Sequence, residues 1–188
     1  MVLAAAEGDL PDWAQVGKAR RRHMKRVAKL MKTWAQARGE HEDEVRRWKA
    51  AGWLHDVLRE ADPEALRPQV PEAFRDLPGR ILHGPAAAER LAAEGVDDEP
   101  FLHAIRYHTL GHPGFDDLGK ALYAADFLEP KRRLRPKWRA RLRERMPEDM
   151  DAVVRDIVGE RIRHLIKRGR PVRDETLGLW NALVEPER

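Results

Sequence analysis

Histidine and aspartate side chains recur on the apolar faces of the helices that this sequence predicts. These are the ligands that first-row metal ions use where no thiolate is present. The clearest case is the adjacent pair His55 and Asp56, inside the apolar stretch of residues 50–59. A buried carboxylate is costly unless it is paired or bound to a cation. The pair alone is also typical of ordinary surface residues or of a satisfied hydrogen bond, so its meaning depends on the other helices.

Further ligand-type residues fall at inward positions on separate elements. His23 and His108 each lie on a stripe of apolar residues at helical spacing. His83 directly precedes a helix that a Gly-Pro pair begins. Asp126 is embedded in an apolar helix, where an isolated acid needs an arginine or a metal ion as its partner. Each residue alone is as typical of a hydrogen-bonded core side chain, whereas the set together favours a metal site.

The combined ligand set predicts a centre with two metal ions. It consists of His23, His55, Asp56, His83, His108 and Asp126. Six ligands exceed what one tetrahedral site needs, and Asp56 is the natural bridge because a carboxylate has two oxygens. Fe, Mn and Zn suit such ligands, and the absence of Cys excludes thiolate sites, disulfides and cysteine nucleophiles. Two ions about 3.5–4 Å apart lower the pKa of a shared water and stabilise in-line attack at phosphorus.

The helices that must position these residues follow from the same periodicity. Apolar stripes at helical spacing recur along the chain and no strand-like alternation appears, so we predict an all-α helical bundle. A chain of 188 residues suits one domain with a helical appendage. We assign residues 1–133 to the domain, with its core at 18–133. Residues 134–188 form a basic helical C-terminal extension that packs on the domain or forms a homodimer surface.

The charge of the chain indicates anionic ligands. The net charge is +4 and the sequence pI is near 9.6, but this excess does not separate nucleotides from nucleic acid. Basic residues near His23, such as Arg20 and Arg26, are expected to face solvent. The basic segment 131–145 is predicted as a helix that is solvated or attracts polyphosphate or RNA. No apolar run suits a membrane helix and the first residues lack signal-peptide features, so we expect a cytoplasmic protein.

The motifs around the ligand set resemble the HD-domain superfamily, whose pattern is H…HD…D with extra histidines in the two-metal members. The motifs are Arg22-His23, Leu54-His55-Asp56, Leu82-His83-Gly84, Ile105-x-x-His108-Thr109 and Ala125-Asp126-x-x-Glu129-Pro130. The last three are most similar to the YqeK-like branch, the bacterial symmetrical diadenosine tetraphosphate hydrolases. The resemblance covers roughly residues 18–133.

This resemblance implies a metal-dependent phosphohydrolase that splits diadenosine tetraphosphate into two ADP by means of a metal-activated hydroxide. It makes His23, His55, Asp56 and Asp126 the ligands of one divalent transition-metal ion. It makes His83 and His108, with Asp56 shared, the ligands of a second. Iron is the ion typical of the family, with manganese as an alternative.

The resemblance also indicates residues that act on the substrate. Asp56 and Arg59 are the catalytic candidates, and Arg59 stands where this family usually has Lys. Arg keeps the positive charge but cannot donate a proton near neutral pH. Thr109, His112 and Arg132, together with Arg59, are the expected substrate contacts.

Two alternatives to this function remain. One is an HD-domain nucleotidase or phosphatase that acts on another nucleotide. The other is a non-catalytic nucleotide-binding or RNA-binding protein that uses the basic segment 131–145, and the complete ligand set argues against it. The predicted partner is therefore a small-molecule nucleotide and not a membrane, and the basic segment 131–145 leaves nucleic acid open as the less favoured alternative.

Overall fold

The structure, a computed structural model, describes residues 1–132 and 134–185. Within these ranges the regular structure is entirely helical and contains no strand, so the predicted all-α class is confirmed. The helices are α1 (Val2–Glu7), α2 (Lys18–Ala37), α3 (Glu42–Leu54), α4 (Pro63–Leu66), α5 (Glu72–Arg75), α6 (His83–Ala93), α7 (Glu99–Tyr107), α8 (Asp117–Leu128), α9 (Pro136–Arg145), α10 (Met150–Lys167) and α11 (Asp174–Val184). Short 3-10 turns at Arg67–Gln69 and Gly79–Ile81 interrupt the loop between α3 and α6.

Helices α2 and α3 pack against each other more closely than ordinary helices do. At Gly52 an added Cβ would lie 2.5 Å from Cα and 2.7 Å from N of Ala28, so only glycine allows this contact. The approach brings the rings of His23 on α2 and His55 at the end of α3 to a centroid distance of 5.5 Å. The small residue therefore positions two of the predicted ligands.

A second close contact joins α6 to α7. A Cβ at Gly84 would lie 2.9 Å from the carbonyl oxygen of Ile105 and 3.1 Å from the ring of His108. His83 is the first residue of α6, and not the residue before a later helix start as predicted, because the 3-10 turn Gly79–Ile81 leads straight into the helix. The contact places His83 beside His108, with ring centroids 5.0 Å apart.

The C-terminal helices pack on the helices that carry the site. The side chains of Val153, Val154, Ile157 and Val158 on α10 are buried, and α10 contacts α8. Trp180 of α11 lies against α10, since its ring would be 2.9 Å from a Cβ added at Gly159. The C-terminal helices therefore contact the helices that carry the site, while their assignment to an extension separate from the domain stays a prediction.

The basic segment 131–145 is not one helix. The chain leaves α8 at Glu129 and resumes helical structure only at Pro136, whose fixed φ suits the first turn of α9. Arg139 of α9 is buried and donates hydrogen bonds to the carbonyl oxygens of Phe127 and Leu134. Part of the basic segment is thus used for packing and not for a solvated face. No helix among the described residues has the length and apolarity to cross a membrane.

Candidate metal centre

Asp56 lies at the centre of a cluster of imidazoles. It lies two residues after the end of α3 and is buried, with 3% of its surface exposed. Its Oδ2 lies 3.6 Å from Nε2 of His23 and 3.4 Å from Nε2 of His55. Its Oδ1 lies 3.0 Å from Nε2 of His83 and 3.6 Å from Nε2 of His108. Each carboxylate oxygen therefore faces a different pair of histidines.

Backbone carbonyls fix the orientation of two of these rings. Nδ1 of His55 lies 3.0 Å from the carbonyl oxygen of Gly52, and Nδ1 of His108 lies 2.8 Å from that of Ile105. A carbonyl only accepts, so Nδ1 carries the proton and donates it in both rings. The Nε2 lone pairs then point at Asp56, which is the arrangement that metal-binding histidines need.

Asp126 lies at the edge of the cluster. Its Oδ1 is 3.1 Å from Nε2 of His23 and accepts a hydrogen bond from Arg132 at 2.7 Å. Burial raises the pKa of Asp126, but the adjacent imidazole of His23 and the charge of Arg132 outweigh it and hold that pKa well below its usual range. The structure thus gives Asp126 an arginine partner and also a position next to a predicted ligand.

The donor set fits two divalent cations. His23, His55 and Asp56 form one group, and Asp56, His83 and His108 form another, each with its ligand atoms within 4.8 Å of one another. Nε2 of both His23 and His55 is buried without a hydrogen-bond partner among the described residues. Since buried polar atoms are normally satisfied, these nitrogens fit the role of donors to a cation.

The electrostatics of the cluster favour a bound cation. Burial raises the pKa of Asp56, but His55 and the other surrounding histidines outweigh it and hold that pKa well below its usual range, so the carboxylate is charged. Burial lowers the pKa of His55, whereas the neighbouring Asp56 raises it above its ordinary value. Burial lowers the pKa of His83 to about 4, so this ring is neutral near pH 7 and able to bind a metal.

Two arginines that we expected to face solvent instead belong to the centre. Arg20 donates to Oδ2 of Asp56 at 2.7 Å, and Arg26 pairs with the buried Glu129. Glu129 Oε1 also lies 3.9 Å from Nδ1 of His23. Helical periodicity places these residues beside the inward stripe, but it does not identify their partners, which lie just after α8 and in the turn after α3.

A cavity of about 240 Å³ opens onto the His23 end of the centre. Its lining residues are Ala19, Arg20, His23, Arg26, Glu60, Glu129 and Arg132. Three arginines and two carboxylates therefore surround the opening. Arg132, a predicted substrate contact, lies at this end.

The other predicted substrate residues are placed differently. Arg59 is half-buried in the turn after Asp56, and its charge contributes to the low pKa of His83. Oγ1 of Thr109 lies 3.2 Å from Nε2 of His108. His112 packs its ring 4.4 Å from that of Tyr107, and its Nδ1 accepts a hydrogen bond from the Gly114 N–H. Arg59 and Thr109 thus adjoin the cluster, and His112 lies in a separate aromatic group.

Residues 20–157 match the HD domain family, which spans all six predicted ligands. The chain belongs to this family. The match includes α9 and the first part of α10, which lie beyond the predicted domain boundary at residue 133. That boundary stays a prediction.

Three bacterial relatives sharpen the assignment, and each is a symmetrical bis(5'-nucleosyl)-tetraphosphatase. The protein from Bacillus subtilis is 33% identical over 140 residues, which is 71% of this chain and 74% of that protein. The one from Halalkalibacterium halodurans is 28% identical over 140 residues, again 71% of this chain and 74% of that protein. The one from Staphylococcus aureus is 38% identical over 88 residues, 44% of this chain and 45% of that protein. The resemblance to this branch is therefore confirmed.

A solved structure shows the same fold. It is that of a predicted HD superfamily hydrolase involved in NAD metabolism from Clostridium acetobutylicum. The TM-score is 0.77 at 24% identity, covering 97% of this chain and 95% of that chain. The likeness extends through the C-terminal helices.

Proposed function

We propose that this protein is a metal-dependent phosphohydrolase that cleaves diadenosine tetraphosphate symmetrically into two ADP. The observation that carries the proposal is the buried Asp56, whose two oxygens each face a separate pair of histidines. The names of the three relatives support the substrate.

The ligand set suits two divalent transition-metal ions, with iron first and manganese as the alternative. His23, His55, Asp56 and Asp126 would hold one ion, and Asp56, His83 and His108 the other. When bound, such ions lower the pKa of water and offset the charge that develops on the phosphoryl oxygens. Imidazole nitrogens and carboxylate oxygens without thiolates suit these metals.

The arginines of the chain bind and orient the polyphosphate. Arg20, Arg26 and Arg132 line the cavity at His23, where guanidinium groups can donate paired hydrogen bonds to phosphate oxygens. Arg59 adds a positive charge near His83. Guanidinium groups do not act as proton donors near neutral pH, so the role of Arg59 is charge stabilisation and not proton transfer.

The test is hydrolysis of diadenosine tetraphosphate by purified protein loaded with Fe²⁺ or Mn²⁺, with products separated by ion-exchange chromatography. The expected product is ADP alone, at two per substrate. Formation of ATP and AMP would contradict symmetrical cleavage. Absence of turnover at full metal occupancy, with activity on a mononucleotide in the same assay, would support the alternative HD-domain nucleotidase.

A further inference from the structure

A second cavity, of about 430 Å³, lies between the site helices and the C-terminal extension. Its wall carries Arg80, Arg161, Arg170 and Arg173 and contains no carboxylate. None of the four arginines pairs with a carboxylate within residues 1–132 and 134–185. Four positive charges in a concave site without compensating acids attract an anion.

This cavity borders the His83 and His108 half of the metal centre. Arg80 and Ile81 lie in its wall and come shortly before His83 in the chain. Thr109 also lies in the wall, and its Oγ1 is 3.2 Å from Nε2 of His108. Thr109 is therefore common to the cavity wall and to the surroundings of His108.

The extension holds this wall in place through two hydrogen bonds. Arg161 of α10 donates to the carbonyl oxygen of Thr109, and Thr176 of α11 donates from Oγ1 to that of Leu110 at 2.7 Å. Arg170 lies in the turn between these two helices, and Arg173 directly precedes α11. The extension thus supplies three of the four arginines.

The remaining wall is apolar and suits a nucleoside. It includes the side chains of Ile81, Leu110, Leu165 and Pro171. The volume falls within the range of about 300–1,000 Å³ that is typical of small-molecule sites, which combine an apolar lining with a few polar anchors.

We propose that this cavity binds one nucleoside phosphate half of the substrate, with the arginines on the phosphate oxygens and the apolar wall against the nucleoside. The assignment rests on the proposed hydrolysis of a dinucleoside polyphosphate. It gives the C-terminal extension a role in substrate binding, beyond packing.

The kinetic test uses the double variant Arg170→Ala/Arg173→Ala. Each arginine is expected to contribute about tenfold to binding, so the KM for diadenosine tetraphosphate should rise about 100-fold. The kcat should change less than about threefold, because neither side chain adjoins the metal ligands. Arg168→Ala is the matched control, since Arg168 is exposed two residues away and does not line the cavity.

A binding test keeps the cavity separate from the reaction. Calorimetric titration of the metal-loaded protein with ADP and with inorganic pyrophosphate should give tighter binding of ADP, and the double variant should weaken ADP binding about 100-fold. The single variant Arg170→Ala, at an exposed position, should weaken it about tenfold. Metal content and thermal unfolding of each variant show that the fold is kept.

The outcomes of these tests separate the two proposals. One outcome is that the wild-type protein binds ADP through Arg170 and Arg173 and yet fails to cleave diadenosine tetraphosphate. That result would support the nucleotide site in the cavity and overturn the proposed substrate. Equal ADP binding by wild type and double variant would overturn the cavity site. Equal affinity for ADP and pyrophosphate would overturn the nucleoside assignment.

Discussion

The two halves of the candidate metal centre differ in their surroundings, although they share Asp56. At the His23 and His55 half, a second carboxylate, Asp126, adjoins the imidazoles, and Arg20 already pairs with Asp56. At the His83 and His108 half, Asp56 supplies the only carboxylate in the compact ligand group within the described residues. The arginines of the nearby 430 Å³ cavity have no acidic partner within the described residues.

We infer that the two halves would differ in how tightly each holds a metal ion and in how readily each accepts further phosphate oxygens. An additional carboxylate strengthens the hold on a cation, so the first half should bind its ion more tightly. The second half has less negative charge. It adjoins guanidinium groups that have no carboxylate partner within residues 1–132 and 134–185, and such groups suit phosphate oxygens. Because Asp56 is shared and the charges around the two halves differ, the centre would be able to hold metal and also to accept a polyanion.

Replacement of Asp56, the proposed bridge, should abolish metal binding in both halves. Asp56→Asn keeps the size of the side chain but removes its charge and one of the two oxygen ligands. We expect both ions to be lost and kcat to fall on the order of 1,000-fold. Elemental analysis with single-turnover kinetics measures this, and the exposed Asp97→Asn is the control. Two ions retained with normal activity would refute the bridging role.

Two single variants, each without one histidine of one half, should lose different metal ions. His55→Ala and His83→Ala should each reduce activity about 100-fold, since each removes a ligand from one ion. In the wild-type chain, a graded chelator should remove one ion first, and His83→Ala should already lack that weaker ion. The exposed His164→Ala should behave as wild type. Simultaneous loss of both ions from every variant would show that the halves do not bind independently.

The tight packing at Gly52 should matter mainly for the first half. Gly52→Ala forces a Cβ against the backbone of Ala28, so we expect a loss of about 2 kcal/mol in the free energy of unfolding and a Tm lower by about 4–8 °C. Affinity for the ion at His23 and His55 should also fall. Differential scanning calorimetry checks the stability, and Lys32→Ala on the exposed face of α2 is the control. An unchanged Tm would mean that the two helices separate at no cost.

The smallest effect is expected at Arg59, near the second half. Arg59→Ala should lower kcat/KM about tenfold through loss of one phosphate contact, with both ions kept. Arg59→Lys should keep most of the wild-type activity that Arg59→Ala loses, because the side chain at this position supplies a positive charge. Steady-state kinetics across pH 6–9 distinguishes the two roles. A new basic limb in the profile of the Lys variant would show that a proton donor also functions at this position.

The sequence predicted the ligand set because each ligand repeats the same signal. A histidine or aspartate at an apolar helical position needs a partner, and His23, His83 and Asp126 carry this signal on three separate helices. The all-α class follows from the same periodicity. The structure brings the six residues together, while their binding of metal stays a proposal.

The arginines were harder to predict. Arg20 and Arg139 resemble solvated residues in the sequence, yet one pairs with Asp56 and the other is buried against α8. Periodicity gives the face of a helix but not its distant partner, and long basic side chains reach across faces. The cavity formed by Arg80 and Arg161 joins segments 81 positions apart in the chain, so no local pattern indicates it.

The two hydrogen bonds that the extension makes to the residues after His108 tie distant parts of the chain into one cooperative unit. When α10 and α11 open, the carbonyl oxygens of Thr109 and Leu110 lose the donors Arg161 and Thr176. Local opening of the extension would therefore loosen the segment next to His108, a proposed metal ligand. By reciprocity, an ion bound at the centre should protect the amide hydrogens of α10 and α11 from exchange. The last helices of the chain thus report on occupancy at its middle.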